Sequence, residues 1–458
     1  MNSSQQINGC HIFFSCGLHS FFRRDNIRII VPVWYARGFA VINIRMERKK
    51  YDMIKTAVLG FGTVGSGVVE LIDRNRGPVE RRVPEGIEVK YILDLRDFPD
   101  SPYRDRVVHD FNVILEDPEI RVICETMGGM EPAFTFSKKA LEKGISVCTS
   151  NKELVAAHGP ELLQTAQKNH CSYLFEASVG GGIPIIRPVT SSLAPENITR
   201  IIGILNGTTN YMMTRMEKEN LSFDEVLRQA QERGYAEKNP EADIEGHDAC
   251  RKIAILSSLM CGKTVRYEDV PCEGISRISM TDVAYARAMG CAIKLLGVSE
   301  RSPEDGTFYV RTAPFMVPSS HPLHSVEDVF NAVFVHGNLV DDLMFYGRGA
   351  GKFPTASAVV SDLLECALQI GSTIPVRWTD EVMQLSDPAQ KKGRFFVRVP
   401  AEHREKAAEL FKGCASVSAP EAPTDETAFT TAPMTEAAFE AAVAELGEVR
   451  SRIRLLEA

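Results

Sequence analysis

The charged pair Asp248 and Lys252 lies four residues apart in the apolar segment HDACRKIAILSSLM. This spacing places both side chains on one face of a helix. Such pairs are commonly exposed and contribute little to stability, but the apolar flanks favour partial burial. Burial lowers the pKa of a lysine, so Lys252 could protonate an oxygen while hydride reaches the adjoining carbon. A surface ion pair and an acid catalyst both remain open interpretations.

A glycine motif, GFGTVG, follows an apolar run and precedes residues with helical spacing. The first glycine allows a tight turn, the second lets the backbone approach a pyrophosphate, and the third lets the helix pack on the strand. A plain glycine-rich turn is the alternative. The motif predicts a dinucleotide site that includes Gly60, Phe61, Gly62, Thr63, Val64 and Gly65.

Asp94, at the end of the second predicted strand, is the candidate for binding the ribose hydroxyls. A carboxylate there favours NAD because it repels a 2′-phosphate. The neighbouring Arg96 could reverse that preference. The choice between NAD and NADP therefore stays open.

Three further segments carry candidate polar groups. Glu237 lies in the loop GYAEKNPEAD, where a solvated loop acid is the simpler interpretation. Lys152 follows a predicted strand, at the sheet edge where ligands bind, although it could equally be a surface lysine at a helix start. The segment 176–182, EASVGGG, offers carbonyls and the Glu176 carboxylate to a hard monovalent cation. A hinge between domains is the alternative.

The elements that must position these residues begin at Met53. Strands and helices alternate, which predicts an α/β fold with a Rossmann-type, doubly wound parallel sheet. One helix runs through SKKALEKG and ends at Gly144, a typical C′ glycine. The predicted strands cover residues 54–60, 88–95, 121–129, 145–152 and 171–178.

After Gly182 the pattern changes to α+β. Residues 199–212 read as a strand that ends in a polar turn, and residues 222–234 as a helix with a capping box of Ser222 and Glu225. Further helices are predicted over 247–260 and 355–368, and antiparallel strands over 307–317 and 331–338. Residues 393–458 have a βαββαβ order, a ferredoxin-like split unit.

These patterns predict four regions: an N-terminal extension, a dinucleotide-binding domain that a later helix completes, a substrate and dimerisation domain, and a C-terminal βαββαβ domain. Their predicted bounds are 1–52, 53–182 with 350–370, 183–349 and 393–458.

Composition limits the function classes. The chain has 458 residues, a net charge of −8 and 44% hydrophobic residues, without a long basic block. This argues against nucleic acid as a partner, because phosphate binding needs concentrated positive charge. The eleven cysteines are scattered singly, which favours reduced thiols in the cytoplasm over zinc or disulfides. No run is long enough to suggest a membrane span.

The segment Asn2–Arg45 has aromatic clusters without helix caps or a clear period. The order of its charged and apolar parts does not fit a signal peptide. We expect the natural start at Met53 or Met46, with residues 1–52 non-native or disordered. A short organelle-targeting extension is the alternative, and the intact mass of the native protein distinguishes the two.

Six blocks together resemble homoserine dehydrogenases, in the family's order from about Met53 to Leu368. They are GFGTVG at 60–65, SNKELVA at 150–156, EASVGGGIPII at 176–186, GILNGTTNYM at 203–212, GYAE…DIEGHDACRK at 234–252 and GRGAGKFPTASAVV at 347–360. GRGAG and ACRK differ slightly from the family's commoner GPGAG and AARK. No aspartate-kinase domain precedes the glycine motif, so the resemblance is to the monofunctional form.

The resemblance implies reduction of L-aspartate 4-semialdehyde to L-homoserine with NADP or NAD, in threonine, methionine and isoleucine biosynthesis. It implies Lys252 as the proton donor, Lys152 at the reacting oxygen, and Glu237, Asp248 and Gly234 as substrate-binding residues. For the cofactor it adds Thr126, Ser150, Lys152 and Gly351 to the glycine motif and Asp94. It also implies a homodimer or tetramer, and a sodium ion held by Glu176, Val179, Gly181 and Ile183.

The tail resembles an ACT regulatory domain, which often senses threonine. Its first loop reads VPAEHREK and lacks the glycine that lets an amino acid approach the helix start. We therefore expect the fold without threonine inhibition. Two rival hypotheses are a dehydrogenase for another small amino-acid derivative and a non-catalytic metabolite sensor; the presence of Lys152, Glu237, Asp248 and Lys252 argues against the sensor.

Overall fold

The computed structural model describes residues 53–457 and, before them, four short strands. These are β1 (Ile27–Ile30), β2 (Val33–Ala36), β3 (Phe39–Ile42) and β4 (Arg45–Arg48), paired antiparallel as β1 with β4 and β2 with β3. The prediction that residues 1–52 are a non-native or disordered extension falls largely on residues outside the described ones. Residues 54–458 form one compact unit.

The first part of that unit is a six-stranded sheet in which every pair is parallel, in the order β10-β9-β8-β5-β6-β7. The order reverses at β5, so the sheet is doubly wound, as predicted, and ligands bind such sheets at this switch point. The strands are β5 (Ile54–Leu59), β6 (Ile87–Leu93), β7 (Val107–Val108), β8 (Ile120–Glu125), β9 (Ser146–Thr149) and β10 (Tyr173–Leu174).

Helices cover both faces of the parallel sheet. Its early helices are α1 (Thr63–Arg74), α2 (Arg76–Arg82), α3 (Phe111–Leu115), α4 (Ala133–Glu142) and α5 (Lys152–Lys168). A later helix, Lys352–Leu368, packs on α1, β8 and β9. Its Val359 and Leu363 join one apolar core with Val58 and Val68. The predicted strand over 171–178 is wrong beyond Leu174, because the chain turns into a 3-10 helix at Glu176–Ser178.

The second part is a nine-stranded mixed sheet with helices packed against it. Its first strands are β11 (Ile198–Ile204), β12 (Cys291–Arg301), β13 (Phe308–Pro318), β14 (Phe330–Gly337) and β15 (Asp341–Arg348). The helices are α6 (Gly207–Glu219), α7 (Phe223–Glu232), α8 (Glu241–Ile244), α9 (His247–Cys261) and α10 (Met280–Ala288). The helix Lys352–Leu368, which packs on the parallel sheet, is α11 in chain order. The capping box of Ser222 and Glu225 is present at α7. The predicted polar turn over 206–212 is wrong, because Asn206 caps α6 there.

The C-terminal elements follow the predicted βαββαβ order apart from two added two-residue strands, Lys392–Gly393 and Met434–Thr435, which pair with each other in a separate sheet, and the other strands continue the same sheet. They comprise β16 (Lys392–Gly393), β17 (Phe395–Pro400), α12 (Arg404–Leu410), β18 (Ala415–Val417), β19 (Glu426–Thr430), β20 (Met434–Thr435), α13 (Glu436–Leu446) and β21 (Ser451–Leu455). The order along the sheet is β13-β21-β17-β19-β18. Because β21 pairs in parallel with β13, one sheet spans the central and C-terminal elements.

Among the described residues, no helix has the length and apolar character needed to cross a membrane.

Candidate active site

The centre of the site is a carboxylate between two ammonium groups. Asp248 and Lys252 lie on α9, and Lys252 Nζ donates to Asp248 Oδ2 over 2.7 Å and to the carbonyl of Leu205 over 2.8 Å. Lys152, the first residue of α5, forms an ion pair with the other oxygen of Asp248. Asp248 is 3% exposed and Lys252 9% exposed, so the exposed-pair interpretation is wrong.

Burial and charge act differently on the three groups. Burial lowers the pKa of Lys252, and the nearby positive charge of Lys152 adds to that effect against the attraction of Asp248. Burial also lowers the pKa of Lys152, but the charge of Asp248 outweighs it and leaves this pKa above its usual value. Burial alone would raise the pKa of Asp248, whereas the two lysines hold it well below its usual range. Lys252 is thus the lysine more ready to give up a proton.

Two residues that the sequence analysis did not assign complete the cluster. The Asn206 amide donates to Asp243 Oδ1 over 2.7 Å and to Asp248 Oδ2 over 2.8 Å. Its Oδ1 meanwhile caps α6 by accepting from the Thr209 amide. Burial and the charge of Asp248 raise the pKa of Asp243. The sequence signal for Asn206 is a residue type that favours helix N-caps, placed two residues after the last residue of a buried strand. Asp243 lies four residues before the start of α9.

Glu237 and Gly234 lie on the exposed loop between α7 and α8. Gly234 has a positive φ of +71°, which favours glycine there. The Glu237 carbonyl accepts from the Gln231 side chain, and its carboxylate forms no hydrogen bond within the described part of the chain. The structure therefore does not bring the Glu237 carboxylate to the Lys–Asp cluster. Its substrate role remains a prediction.

The glycine motif has the geometry of a dinucleotide loop. Gly60 has a φ of +87°, and a Cβ on Gly65 would lie 1.9 Å from the Gly60 carbonyl oxygen, so both positions require glycine. A Cβ on Gly62 would meet no atom within 4 Å, which leaves this side of the loop open. Thr63 starts α1, with Val64 half-buried behind it. The N-terminus of α1 thus opens towards space, as phosphate binding requires.

Asp94 lies beside this loop and is already hydrogen-bonded. Its Oδ2 accepts from the Phe61 amide over 2.8 Å, and its carboxylate accepts two hydrogen bonds from the Arg96 guanidinium, each 3.0 Å long. The Arg96 hydrogen bonds and the Phe61 amide together hold the pKa of Asp94 at about 2, against the effect of burial. Asp94 therefore forms an ion pair with Arg96 beside the glycine motif.

Two neighbouring loops border the glycine motif. Thr126 donates through Oγ1 to the carbonyls of Leu59 and Gly60 over 2.9 and 3.0 Å, and so holds the end of β5. Ser150, half-buried, donates its amide to the Glu125 carbonyl over 3.3 Å. Both residues directly follow strands that end earlier than predicted, Thr126 after β8 and Ser150 after β9, so they lie at the carboxyl ends of the parallel sheet. Gly351, with a φ of +121°, directly precedes α11.

The segment after β10 corrects one expectation. Both oxygens of the Glu176 carboxylate accept amide hydrogens, from Ile185 at 2.6 Å, Ile186 at 2.8 Å and Arg187 at 2.8 Å. A side chain committed to three amide donors is not free to bind a cation. Main-chain carbonyls of Glu176, Val179, Gly181 and Ile183 remain as candidate ligands, on a loop where Gly180 and Gly181 have positive φ values.

Comparisons with known proteins agree with the geometry. A family model described as homoserine dehydrogenase matches residues 184–364, and one described as homoserine dehydrogenase, NAD binding domain, matches residues 60–176. The homoserine dehydrogenase of Synechocystis sp. is 45% identical over 320 residues, which cover 68% of this chain and 72% of the relative. That of Bacillus subtilis is 42% identical over 317 residues, with 68% and 72% covered.

Solved structures show the same likeness. A homoserine dehydrogenase from Thiobacillus denitrificans has a TM-score of 0.80 at 31% identity, covering 89% of this chain and 99% of that one. A hyperthermophilic archaeal homoserine dehydrogenase in complex with NADPH has a TM-score of 0.58 at 26% identity, with 71% and 99% covered. The two family models together span the parallel sheet and the α9 cluster. The chain therefore belongs to the homoserine dehydrogenase family.

Proposed function

We propose that Lys252 is the proton donor of this NAD(P)-dependent homoserine dehydrogenase, which reduces L-aspartate 4-semialdehyde to L-homoserine. A reduced nicotinamide cofactor, when bound, would supply the hydride that the aldehyde carbon accepts. Lys252 Nζ gives its proton to the aldehyde oxygen, so that the carbonyl becomes a hydroxyl and the lysine becomes a neutral amine. Solvent then returns the proton. The observation that carries the proposal is a buried ammonium whose pKa is lowered, held by Asp248 in a polar cluster.

The other charged groups have supporting roles. Lys152 also forms an ion pair with Asp248. We propose that it hydrogen-bonds the aldehyde oxygen of the substrate, where its positive charge would stabilise the negative charge that develops on that oxygen. Asp248 keeps both lysines in place. Asp248 and Glu237, with Gly234 beside it, are proposed to bind the substrate, in part through its ammonium group. Asp243, half-buried and joined to the cluster through Asn206, offers a further carboxylate for that cation.

The test is a steady-state assay of Lys252→Ala with aspartate semialdehyde and NADPH or NADH. We expect kcat to fall by roughly 10²-fold or more, while the Kd for the cofactor stays unchanged. Lys168→Ala, a surface lysine at the end of α5, is the matched control. A Lys252→Ala enzyme with near-normal kcat would remove this residue from the donor role.

For the cofactor, we propose contacts from the glycine motif, Asp94, Thr126, Ser150, Lys152 and Gly351. The open space at Gly62 and the free start of α1 support a pyrophosphate there. Arg96, held on Asp94, supplies a positive charge suited to a 2′-phosphate. NADPH is accordingly the cofactor we expect to bind better.

A monovalent cation of the sodium type would be held by the main-chain carbonyls of Glu176, Val179, Gly181 and Ile183. The left-handed turn at Gly180 and Gly181 supports a main-chain site, because the Glu176 carboxylate is already hydrogen-bonded to three amides. Activity measured in sodium and in a bulky organic cation distinguishes a site that needs the ion from one that does not.

The C-terminal βαββαβ unit is proposed to be ACT-like, because its strands lie in the order β21-β17-β19-β18, which fits the split unit predicted from sequence. The loop between β17 and α12 lacks a glycine, so we expect no threonine inhibition. Strong inhibition in a threonine titration would contradict this. We propose domains at residues 53–182 with 350–370, at 183–349 and at 393–458, after an extension at 1–52.

We further propose a homodimer or tetramer that acts in the cytoplasm on a small-molecule substrate, without nucleic acid or membrane as a partner. Nine free cysteines among the described residues suit a reducing compartment. Light scattering after size-exclusion chromatography measures the oligomer, and a monomer would contradict this part.

A further inference from the structure

Glu125 is a fully buried acid at the carboxyl end of β8, and the reaction described above does not use it. Its Oε1 accepts the Met127 amide over 2.7 Å, and its Oε2 accepts the Thr149 hydroxyl. Burial raises the pKa of Glu125 to about 7, although these two hydrogen bonds lower it. A buried carboxylate is costly unless its hydrogen bonds organise something nearby.

The hydrogen bonds continue from Thr149 to the start of α5. Thr149 Oγ1 accepts the Asn151 amide over 2.9 Å, and Asn151 Oδ1 caps the helix by accepting the Leu154 amide over 3.1 Å. Lys152 is the first residue of that helix. Its ammonium forms an ion pair with Asp248 and so links a helix of the parallel sheet to α9. The chain of bonds thus fixes the backbone from which Lys152 projects.

The same network joins the neighbouring loop. The side-chain Nδ2 of Asn151 donates to the Gly129 carbonyl over 2.7 Å, and the Ser150 amide donates to the Glu125 carbonyl over 3.3 Å. These two bonds tie the segment that follows β9 to the end of β8 and its loop. Both carboxylate oxygens of Glu125 and the hydroxyl oxygen of Thr149 form hydrogen bonds within this network. A residue that only filled the core would not need this sequence of directed bonds.

We infer that Glu125 is a positioning residue, which acts through Thr149 and Asn151 to set Lys152 at the reacting oxygen. The inference rests on the proposed role of Lys152. It deepens that role by naming the groups that hold the lysine in place. A displacement of a polar catalytic group by about 1 Å can cost up to roughly 10²-fold in rate, so such groups affect kcat rather than substrate binding.

The experiment breaks the network at Thr149. Thr149→Val keeps the shape but removes the hydroxyl, and Thr149→Ser keeps the hydroxyl. Thr56→Val is the matched control, because Thr56 is also fully buried in the parallel sheet and donates to the Val122 carbonyl over 2.7 Å, away from the network. The readouts are kcat and KM for aldehyde reduction and the Kd for NADPH from fluorescence.

We expect kcat of Thr149→Val to fall about tenfold, with KM and the NADPH Kd within about twofold of the parent enzyme. Thr149→Ser and Thr56→Val should keep kcat. Adding Thr149→Val to Lys152→Ala should cause no further loss, because both changes act on one group. A Thr149→Val enzyme as fast as Thr56→Val, a slow Thr149→Ser enzyme, or losses that multiply in the double variant would each overturn the inference.

Lys152→Ala alone separates the two levels of argument. If it has a normal kcat, the proposed role of Lys152 fails, and the inference fails with it. If it is slow while Thr149→Val is normal, only the inference fails.

Discussion

Lys252 and Lys152 contact the same carboxylate but differ in how much water reaches them. Lys252 lies inside α9 against the Leu205 carbonyl, whereas Lys152 is 38% exposed as a side chain. Burial therefore dominates at Lys252 and lowers its pKa, while attraction to Asp248 dominates at Lys152 and raises its pKa. Two chemically equal groups thus become a donor and a permanent positive charge.

This difference predicts opposite pH dependences for the two reaction directions. Reduction needs protonated Lys252, so its kcat/KM should fall as pH rises through a pKa below the usual 10.5. Oxidation of homoserine needs the neutral amine, so its kcat/KM should rise over the same range. Paired pH profiles measure this, and two profiles that bend in the same direction would contradict the donor assignment.

Arg96 predicts cofactor preference at the residue scale. Its guanidinium neutralises Asp94, which would otherwise repel a 2′-phosphate. In Arg96→Ala we expect KM for NADPH to rise about tenfold, because the loss of one charge-assisted hydrogen bond to the 2′-phosphate weakens binding by roughly that factor. KM for NADH should stay unchanged. Arg104→Ala, an exposed arginine nearby, is the control. An equal rise for both cofactors would indicate a loop defect instead.

At the scale of elements, the turn from β5 into α1 separates glycines needed for folding from glycines needed for binding. Gly65 is packed against the Gly60 carbonyl, whereas Gly62 faces open space. The two positions therefore predict different phenotypes for the same change.

Gly65→Ala should lose about 1–3 kcal/mol of stability, because the added methyl group overpacks the turn. Gly62→Ala should keep its free energy of unfolding but bind NADPH more weakly, since the methyl group occupies the approach to the backbone. Urea unfolding and NADPH titration measure the pair. A destabilised Gly62→Ala, or a stable Gly65→Ala, would show that the turn is arranged differently.

At the scale of the whole molecule, buried ion pairs connect the C-terminal unit to the central helices. Arg398 on β17 donates to Asp282 at the start of α10 over 2.8 Å and to Glu426 on β19 over 2.9 Å. The side chains of Asp282 and Glu426 are at most 1% exposed. Together with the pairing of β21 and β13, these bonds make the C-terminal unit a part of the main fold.

We therefore expect Arg398→Ala to lower the free energy of unfolding by about 3–5 kcal/mol, because two carboxylates stay buried without their main counter-charge. The loss should appear in one cooperative transition of the whole protein. Arg452→Ala, an exposed arginine on β21, should change little. A separate early transition of the C-terminal unit in calorimetry would show that it unfolds independently.

Much of the fold could be predicted because its signals are local. The strand–glycine–helix order from β5 to α1 predicts the parallel sheet, and the capping box predicts the start of α7. Elsewhere local signals misled. Asn206 and the threonines after it have turn character, yet they open α6, because the N-cap bond from Asn206 and packing against the sheet override their low helix preference. The strand at 171–178 ends early for a similar reason, since Glu176 turns to accept three amides.

The sequence by itself determined the residue types of the site, the spacing of Asp248 and Lys252 on one helix face, and the glycine turn, because each depends on neighbours within a few positions. Only the tertiary structure decided that Lys152, on a helix of the parallel sheet, contacts Asp248 on α9, and that Asn206 and Asp243 join this cluster. It also decided that the Glu176 carboxylate accepts hydrogen bonds from backbone amides. These contacts join residues far apart in the chain. Their distances and burial, which set the pKa of each lysine, exist only once the sheets and helices have packed.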